Sequence, residues 1–383
     1  MRWYPVGYDF GNSETNLTIL KGKEILKNAA PTAFVAINKN AMKNLGVEIS
    51  TGEAFAHQFE DESHTIAFGH LALMQGVPTE SRRGDDLRYA SKYSVRGLLS
   101  LSASLLAEKE YGLYVVTGLP ADLFTKSPGL RKQIKEGLEG TYTFSIDAGK
   151  TWRTAHIQIA TVVMEGAGAL LAFGGQIGKA TESGVVDIGG ATTDLYAQRG
   201  QIPMADFCKG KRIAVETATQ MLKDAFEASF GPRTLTDLEA RECMFAYAAA
   251  KNAKRKKAIP QYPNIAVYGK MVEAKELEFM VKQAVEHVAD EIASFVSSAW
   301  RQAGASRFNP VLLIGGGSYY FGDALRERIP HLKVPEDPTF ANALGYASLA
   351  QRLLQMRNAE ARREAQRIEP TQQGESEAPA LGQ

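Results

Sequence analysis

Two short stretches carry acids and small residues at matching positions. DFGNSETNL (Asp9 to Leu17) and DIGGATTDL (Asp187 to Leu195) align Asp9 with Asp187, Gly11 with Gly189, Thr15 with Thr193 and Leu17 with Leu195. In each, an apolar run ends in an acid, turns on glycine and resumes. Gly189 and Gly190 let backbone amides approach a ligand with no Cβ in the way, and successive inward amides form an anion-binding concavity to which Thr192 and Thr193 add hydroxyl donors. Phosphate suits such a pocket, and two facing copies would grip a polyphosphate from both sides. Asp9 and Asp187 would repel that anion unless Mg²⁺ lay between them. This ion takes oxygen ligands, keeps several waters and is held by one or two carboxylates plus phosphate. The two acids therefore read as holding the hydration shell of a metal, and either is also able to orient an attacking water. Taken singly, each stretch also reads as a β-turn whose Asp caps its own backbone; the repetition favours phosphate.

Two further features belong to this chemistry. Glu165 ends the apolar run IQIATVVME and precedes the small residues GAGALLAF. A carboxylate there would hold a water in line with a terminal phosphate, supplying position and not covalent chemistry; as a plain feature it is a Glu favoured by a helix dipole. The glycine cluster in VLLIGGGSYYFGDAL (311 to 325) follows an apolar strand and leads into a helix, so its backbone can pass close to a base and ribose. Two P-loop look-alikes fail: GKT at 149 to 151 has Phe144 where glycine is needed, and the Gly174 spacing reaches Lys179 but then Ala180.

These residues need elements to position them. Strands are expected at Val6 to Phe10, Asn16 to Leu20, Tyr111 to Gly118, His156 to Val163, Gly184 to Ile188, Thr193 to Gln198 and Val311 to Ile314. Helical periodicity is clearest at Ala214 to Phe230, Leu235 to Asn252, Glu273 to Ala303 and Ala341 to Arg367. The mixture argues for α/β layers, and 383 residues suit two domains. With 44 Lys plus Arg against 43 Asp plus Glu, no overall field selects nucleic acid or a membrane. The KNAKRKK run at 251 to 257 reads as a solvated helix end. Cys208 and Cys243, without a CxxC pair, exclude a disulfide scaffold or cysteine zinc site and fit a reducing cytosol. No leader-like start, no apolar run long enough to span a bilayer and no amphipathic membrane-binding end is visible, so the expected location is cytoplasmic. Glu369 to Gln383 has little to bury and is expected to be disordered.

Three glycine-bearing segments in this order resemble the actin, Hsp70 and sugar-kinase superfamily over about residues 4 to 355. DFGNSETNL resembles its first phosphate loop, DIGGATTDL its second and IGGGSYYFGDAL its adenosine motif. The chain looks most like ParM-type bacterial and archaeal actins: Glu165 stands 22 positions before Asp187, and PEDPTFANALGYASLA resembles the closing segment of that branch, with Asn342, Ala343 and Gly345 beginning the last helix. The resemblance implies two facing RNase H-like α/β domains around a nucleotide cleft: residues 1–172 with helix 341–367 packing back on them, residues 173–340, and a tail from 368. It implies Asp9 and Asp187 in metal-water handling and Glu165 in hydrolysis. Phosphate contacts would come from Gly11, Asn12, Gly189, Gly190, Thr192 and Thr193, with Ser13 and Thr15 as further donors, and Gly315, Gly316, Gly317 and Ser318 would lie beside the adenosine. Glu14 departs from the pattern, since a small or hydroxyl residue would be more comfortable beside phosphate. The implied activity is assembly into filaments driven by ATP and Mg²⁺, with GTP left open, moving plasmid DNA through a DNA-binding adaptor. The rivals are a small-molecule kinase of the same superfamily and a non-polymerising ATP-dependent switch acting in cell division or at the envelope.

Overall fold

The computed structural model describes residues 1–38, 54–75, 85–173, 181–231, 233–252 and 259–368. The tail from Glu369, most of the basic run and the Gly174 to Lys179 look-alike lie outside them. A first sheet contains β1 (Trp3–Phe10), β2 (Glu14–Lys21), β3 (Glu24–Pro31), β4 (Phe34–Ile37), β5 (Ala54–Phe59), β6 (Thr65–Gly69), β7 (Glu110–Leu119), β8 (Gly140–Ser145) and β9 (Arg153–Met164). Their spatial order is β3-β2-β1-β7-β9-β8-β5-β6-β4. The second half supplies β10 (Glu182–Ile188), β11 (Thr193–Arg199), β12 (Ile202–Pro203), β13 (Lys209–Lys211), a small hairpin of β14 (Ala266–Val267) and β15 (Lys270–Met271), then β16 (Val311–Ile314) and β17 (Leu332–Lys333). Its sheet runs β12-β11-β10-β16-β17, with β13 beside β11.

The two sheets share one plan. An antiparallel trio, β3-β2-β1 or β12-β11-β10, is followed by two strands parallel to the first of the three, β7 and β9 or β16 and β17. β7 beyond Glu110 and all of β16 are buried, which is why YGLYVVTGL and VLLI are apolar without alternation. Register matches too: Asp9 faces Asn16 and Phe10 faces Thr15, as Asp187 faces Asp194 and Ile188 faces Thr193. This is the expected RNase H-like arrangement, present twice.

Four long helices fall where the periodicity placed them: Val215–Phe230, Asp237–Asn252, Ala274–Ala299 and Ala341–Ile368. The third stops short of the predicted Ala303 because Trp300 turns into the sheet, is fully buried, and donates Nε1–H to the Phe207 carbonyl at 3.1 Å. Each lobe has its own large apolar core. A third, smaller cluster joins them, in which Met164, Ala169 and Leu170 meet Val185, Tyr196 and Ile314. Two helices make this junction, the short Ala167–Phe173 and the C-terminal Ala341–Ile368. They touch at glycine: a Cβ on Gly345 would lie 1.8 Å from the Gly168 carbonyl oxygen. The C-terminal helix lies equally flat on β1, where a Cβ on Gly7 would lie 1.8 Å from the Ala343 carbonyl oxygen. It thereby covers the first sheet, with Tyr346, Ala350 and Leu354 packed on Tyr114 and Val116.

Candidate functional site

The two acid-ended strands deliver their turns to one place. Between the lobes lies a cavity of about 630 Å³. Its walls include Asp9, Gly11, Asn12 and Ser13 from the first turn, Asp187, Gly189, Gly190 and Thr192 from the second, Glu165 beyond β9, and Gly316 and Gly317 beyond β16. The turns touch: a Cβ on Gly190 would lie 1.8 Å from Ser13 Oγ, so only glycine fits there. Ser13 Oγ also donates to Glu216 Oε1 across the cleft at 3.1 Å. Glu216 opens the Val215–Phe230 helix and its amide donates to the Gly190 carbonyl at 2.8 Å. That helix start and the start of Ser318–Arg328 both face the cavity, and the dipole of a helix favours an anion at its N-terminus. The far end of the cavity is lined by Met244, Ala248, Tyr319 and Tyr320, a more apolar wall.

Not every expected residue faces this space, and four expectations are corrected. Strand alternation turns Thr15 and Thr193 to the other side of their hairpins. Thr15 Oγ1 pairs with Thr32 Oγ1 at 2.8 Å and Thr193 Oγ1 donates to the Ile213 carbonyl at 2.5 Å, both fully buried. They latch the hairpins and are not on the cavity wall. Ser318 Oγ donates to the Gly315 carbonyl at 2.7 Å, closing its own turn. Gly315, with φ +80°, sits behind the wall, where a Cβ would lie 2.6 Å from Asp187 Oδ1. Glu14, the departure noted in the sequence, lines the cavity near Asp337, and burial and that carboxylate raise its pKa.

Three residues matter to which the sequence reading gave no role in the site. Asp194, opposite Asp187, lines the cavity and is almost fully buried. Arg88, from the short turn of helix Asp86–Ala90, reaches under the first loop and donates Nη1–H to the Gly11 carbonyl at 3.2 Å. Asn342 joins the lobes: it donates Nδ2–H to Asp187 Oδ2 at 2.7 Å and accepts the Gly166 amide at 3.0 Å, beside Glu165.

Electrostatically the cavity is a set of crowded carboxylates. Burial pushes Asp9 up to about 7, opposed by Arg88 and reinforced by Glu14. Burial and Asp9 push Asp187 to about 7, against the Asn342 hydrogen bond. Burial and Asp187 push Asp194 to about 7. Glu165 is raised well above the ordinary range by burial and then by Asp194, Asp9 and Asp187. Like charges in a poorly hydrated space disfavour ionisation, and a cation among them would restore it. Among the described residues no three His, Cys, Asp or Glu side chains converge to hold an ion directly. The carboxylates that are present are oxygen donors of the kind Mg²⁺ takes alongside water and phosphate.

A two-lobed molecule with one glycine turn from each lobe closing on a shared cleft has the actin fold. The chain belongs to the actin-like proteins: residues 7–168 match the family model of the N-terminal domain of actin like proteins, and residues 185–327 match that of the C-terminal part of the archaeal actin homologue MreB-like. No curated protein matches the sequence. Among solved structures, the archaeal actin homolog Ta0583 is similar at TM-score 0.68 and 22% identity, covering 92% of this chain and 100% of that one. A 15-stranded ParM filament from Clostridium botulinum gives TM-score 0.71 at 17% identity, with 92% and 100% covered. Bacillus thuringiensis ParM with AMPPNP gives TM-score 0.64 at 14% identity, with 92% and 99% covered.

Proposed function

We propose that this actin-like protein binds an adenine nucleotide with Mg²⁺ in the cleft, polymerises, and hydrolyses ATP to weaken the polymer. The observation that carries the reading is the pair of equivalent turns, one per lobe, meeting around a single cavity with Asp9, Asp187 and Glu165 on its wall. Ta0583 has been solved with ADP and Bacillus thuringiensis ParM with AMPPNP, which supports the nucleotide; the Clostridium botulinum ParM filament supports the polymer. The lobes divide near residue 172, with the last helix returning to the first.

In this scheme Gly11, Asn12, Ser13, Gly189, Gly190 and Thr192 cradle phosphate, and Gly316 and Gly317 pass beside the nucleoside. Asp9 and Asp187 would hold the metal through its waters. When bound, that ion supplies the positive charge that lets carboxylates and phosphates share one space. Glu165 orients a water toward the terminal phosphate, a contribution of position and proton acceptance. Nucleotide state then acts as a timer, because a ligand shifts an equilibrium only by its different affinity for two states, and a head-to-tail contact that does not close yields a filament. The cellular task we assign is segregation of plasmid DNA in the cytoplasm, through a DNA-binding adaptor.

Light scattering after addition of Mg·ATP, with electron microscopy of the product, tests the polymer: assembly gives a signal only above a critical concentration. ATP turnover that depends on an added small acceptor, with no scattering, would replace this reading with a kinase. Glu165→Ala is expected to assemble and to release phosphate about 100-fold more slowly; a normal rate removes Glu165 from the reaction.

A further inference from the structure

The walls of the cleft are unusually poor in positive charge for a phosphate site. The two turns and the 315–320 segment contain no lysine or arginine, and Asp9, Glu14, Glu165, Asp187, Asp194 and Glu216 all reach the cavity. Among the described residues lining it, the basic ones are Arg88 and Arg241. Arg241 is exposed on the Asp237–Asn252 helix among Met244, Phe245 and Ala248, at the apolar end. Arg88 is at the acidic end and only 3% exposed.

Its surroundings hold it still. The guanidinium carbon stands 4.2 Å from the Tyr89 ring centroid and 5.3 Å from that of Phe10. Nη2–H donates to the Tyr89 hydroxyl at 2.7 Å and Nη1–H to the Gly11 carbonyl. Those bonds occupy part of a five-donor fork whose geometry matches phosphate oxygens. No carboxylate forms an ion pair with it in the described structure. The charge of Arg88 is nevertheless felt by Asp9 and by Glu165, the residue proposed to hold the water. Bonded to the Gly11 carbonyl of the first turn and sharing the cavity wall with Asp9 and Glu165, the guanidinium lies at the end of the cleft where hydrolysis would occur.

We propose that Arg88 is the phosphate-binding cation of this site and takes the terminal phosphate of the nucleotide. This rests on the cleft being a nucleotide site, and it assigns the arginine a catalytic role in direct contact with the transferred group. The fork neutralises charge on the terminal phosphoryl oxygens, where the turns supply only amides and hydroxyls. Because it also grips the Gly11 carbonyl, it registers the third phosphate through the first loop. An ADP-bound cleft leaves this contact unmade.

The test is equilibrium binding of Mg·ADP and Mg·AMPPNP to the full chain, at protein concentrations that do not scatter light. Wild type, R88M and R88K are compared. R88M is expected to bind ADP within about twofold of wild type and to lose about tenfold or more in AMPPNP affinity, the effect of a lost charged hydrogen bond. R88K should recover part of that loss, since a lysine keeps the charge without the fork. Equal losses for both nucleotides, or none for AMPPNP, overturn the assignment. If R88M does not melt cooperatively, R88K alone decides, by whether its AMPPNP to ADP ratio falls. Wild type binding neither nucleotide would instead overturn the nucleotide reading itself, whatever Arg88 does.

Discussion

The two acid-bearing hairpins are built alike and charged differently. Both have the same strand plan, the same register and a buried threonine latch at the same position, yet Asn16 stands where the second hairpin has Asp194, and Glu14 where it has Thr192. Their outer faces differ as well. Counting from the paired acids, Val6 and Gly7 of β1 correspond to Gly184 and Val185 of β10. In β1 the glycine admits the C-terminal helix; in β10 it admits the Trp300 ring, which a Cβ would approach to 2.7 Å. A repeated scaffold has thus been fitted to two unlike neighbours by moving one glycine along one strand. The chemistry has become unequal in the same way, since the first lobe also contributes Arg88 and Glu165 while the second keeps two facing acids.

The comparison breaks most violently at those glycines. Giving β1 the residue of its counterpart, Gly7→Val, forces the side chain into the Ala343 backbone and should cost about 3 kcal/mol or more, read as loss of cooperative melting. The reverse change, Val185→Gly, only empties a buried site and should cost about 2–4 kcal/mol with the fold retained. If Gly7→Val melts like wild type, the close approach of the last helix is wrong.

The acids come next. Unfolded, Asp194 ionises near 3.8; folded, it keeps its proton to about 7. The native state therefore binds the extra proton between those values, and the stability linked to this group is full below the lower one and lost as pH rises through the upper. Asp194→Asn gives the second hairpin the amide of the first. Without nucleotide it should match wild type near the lower limit and exceed its stability by at least about 1 kcal/mol at pH 8, measured by denaturant melts. Asn16→Asp should do the opposite, setting a new carboxylate against Asp9. A gap between Asp194→Asn and wild type that does not widen with pH would refute this electrostatic account.

His57 gives a smaller effect of reversed sign. It is fully buried with Nδ1 against Ser100 Oγ at 3.1 Å, and burial and then Arg96 hold its pKa well below the ordinary 6.5. Its unfolded form takes up a proton first, so stability declines as pH falls below about 6.5. His57→Gln should flatten that acid limb, and an unaltered limb would place its cause elsewhere.

The latches are the smallest. Thr193→Val strands the Ile213 carbonyl and should cost about 1–2 kcal/mol. Thr15→Val should cost about half as much, since Thr32 Oγ1 still donates to the Gly11 carbonyl at 2.9 Å. Neither should change nucleotide affinity beyond about twofold; a larger change would return these hydroxyls to the site.

Much of this was readable before any coordinates. The strands and four long helices showed themselves through periodicity, and the paired turns through an acid followed by glycine. The face of each hairpin residue was also readable in principle. Alternation puts Asp9 and Asn16 on one side and Phe10 and Thr15 on the other, so the threonine hydroxyls were never going to reach the cleft. Identity between the repeats does not mark the informative position, because Asn16 and Asp194 differ. Arg88 left no local trace: LRYA is an ordinary surface-like string, and only tertiary folding carries it beneath Gly11. Asn342 was visible as the start of the last helix, but its two partners lie 155 and 176 positions away.

Asn342 grips a carboxylate of one lobe and a backbone amide of the other with the two ends of a single planar group. Such a crosspiece tolerates little relative swivel before one grip is surrendered. Any opening of the jaws is therefore reported to Asp187 as a missing donor, and to the peptide after Glu165 as a missing acceptor.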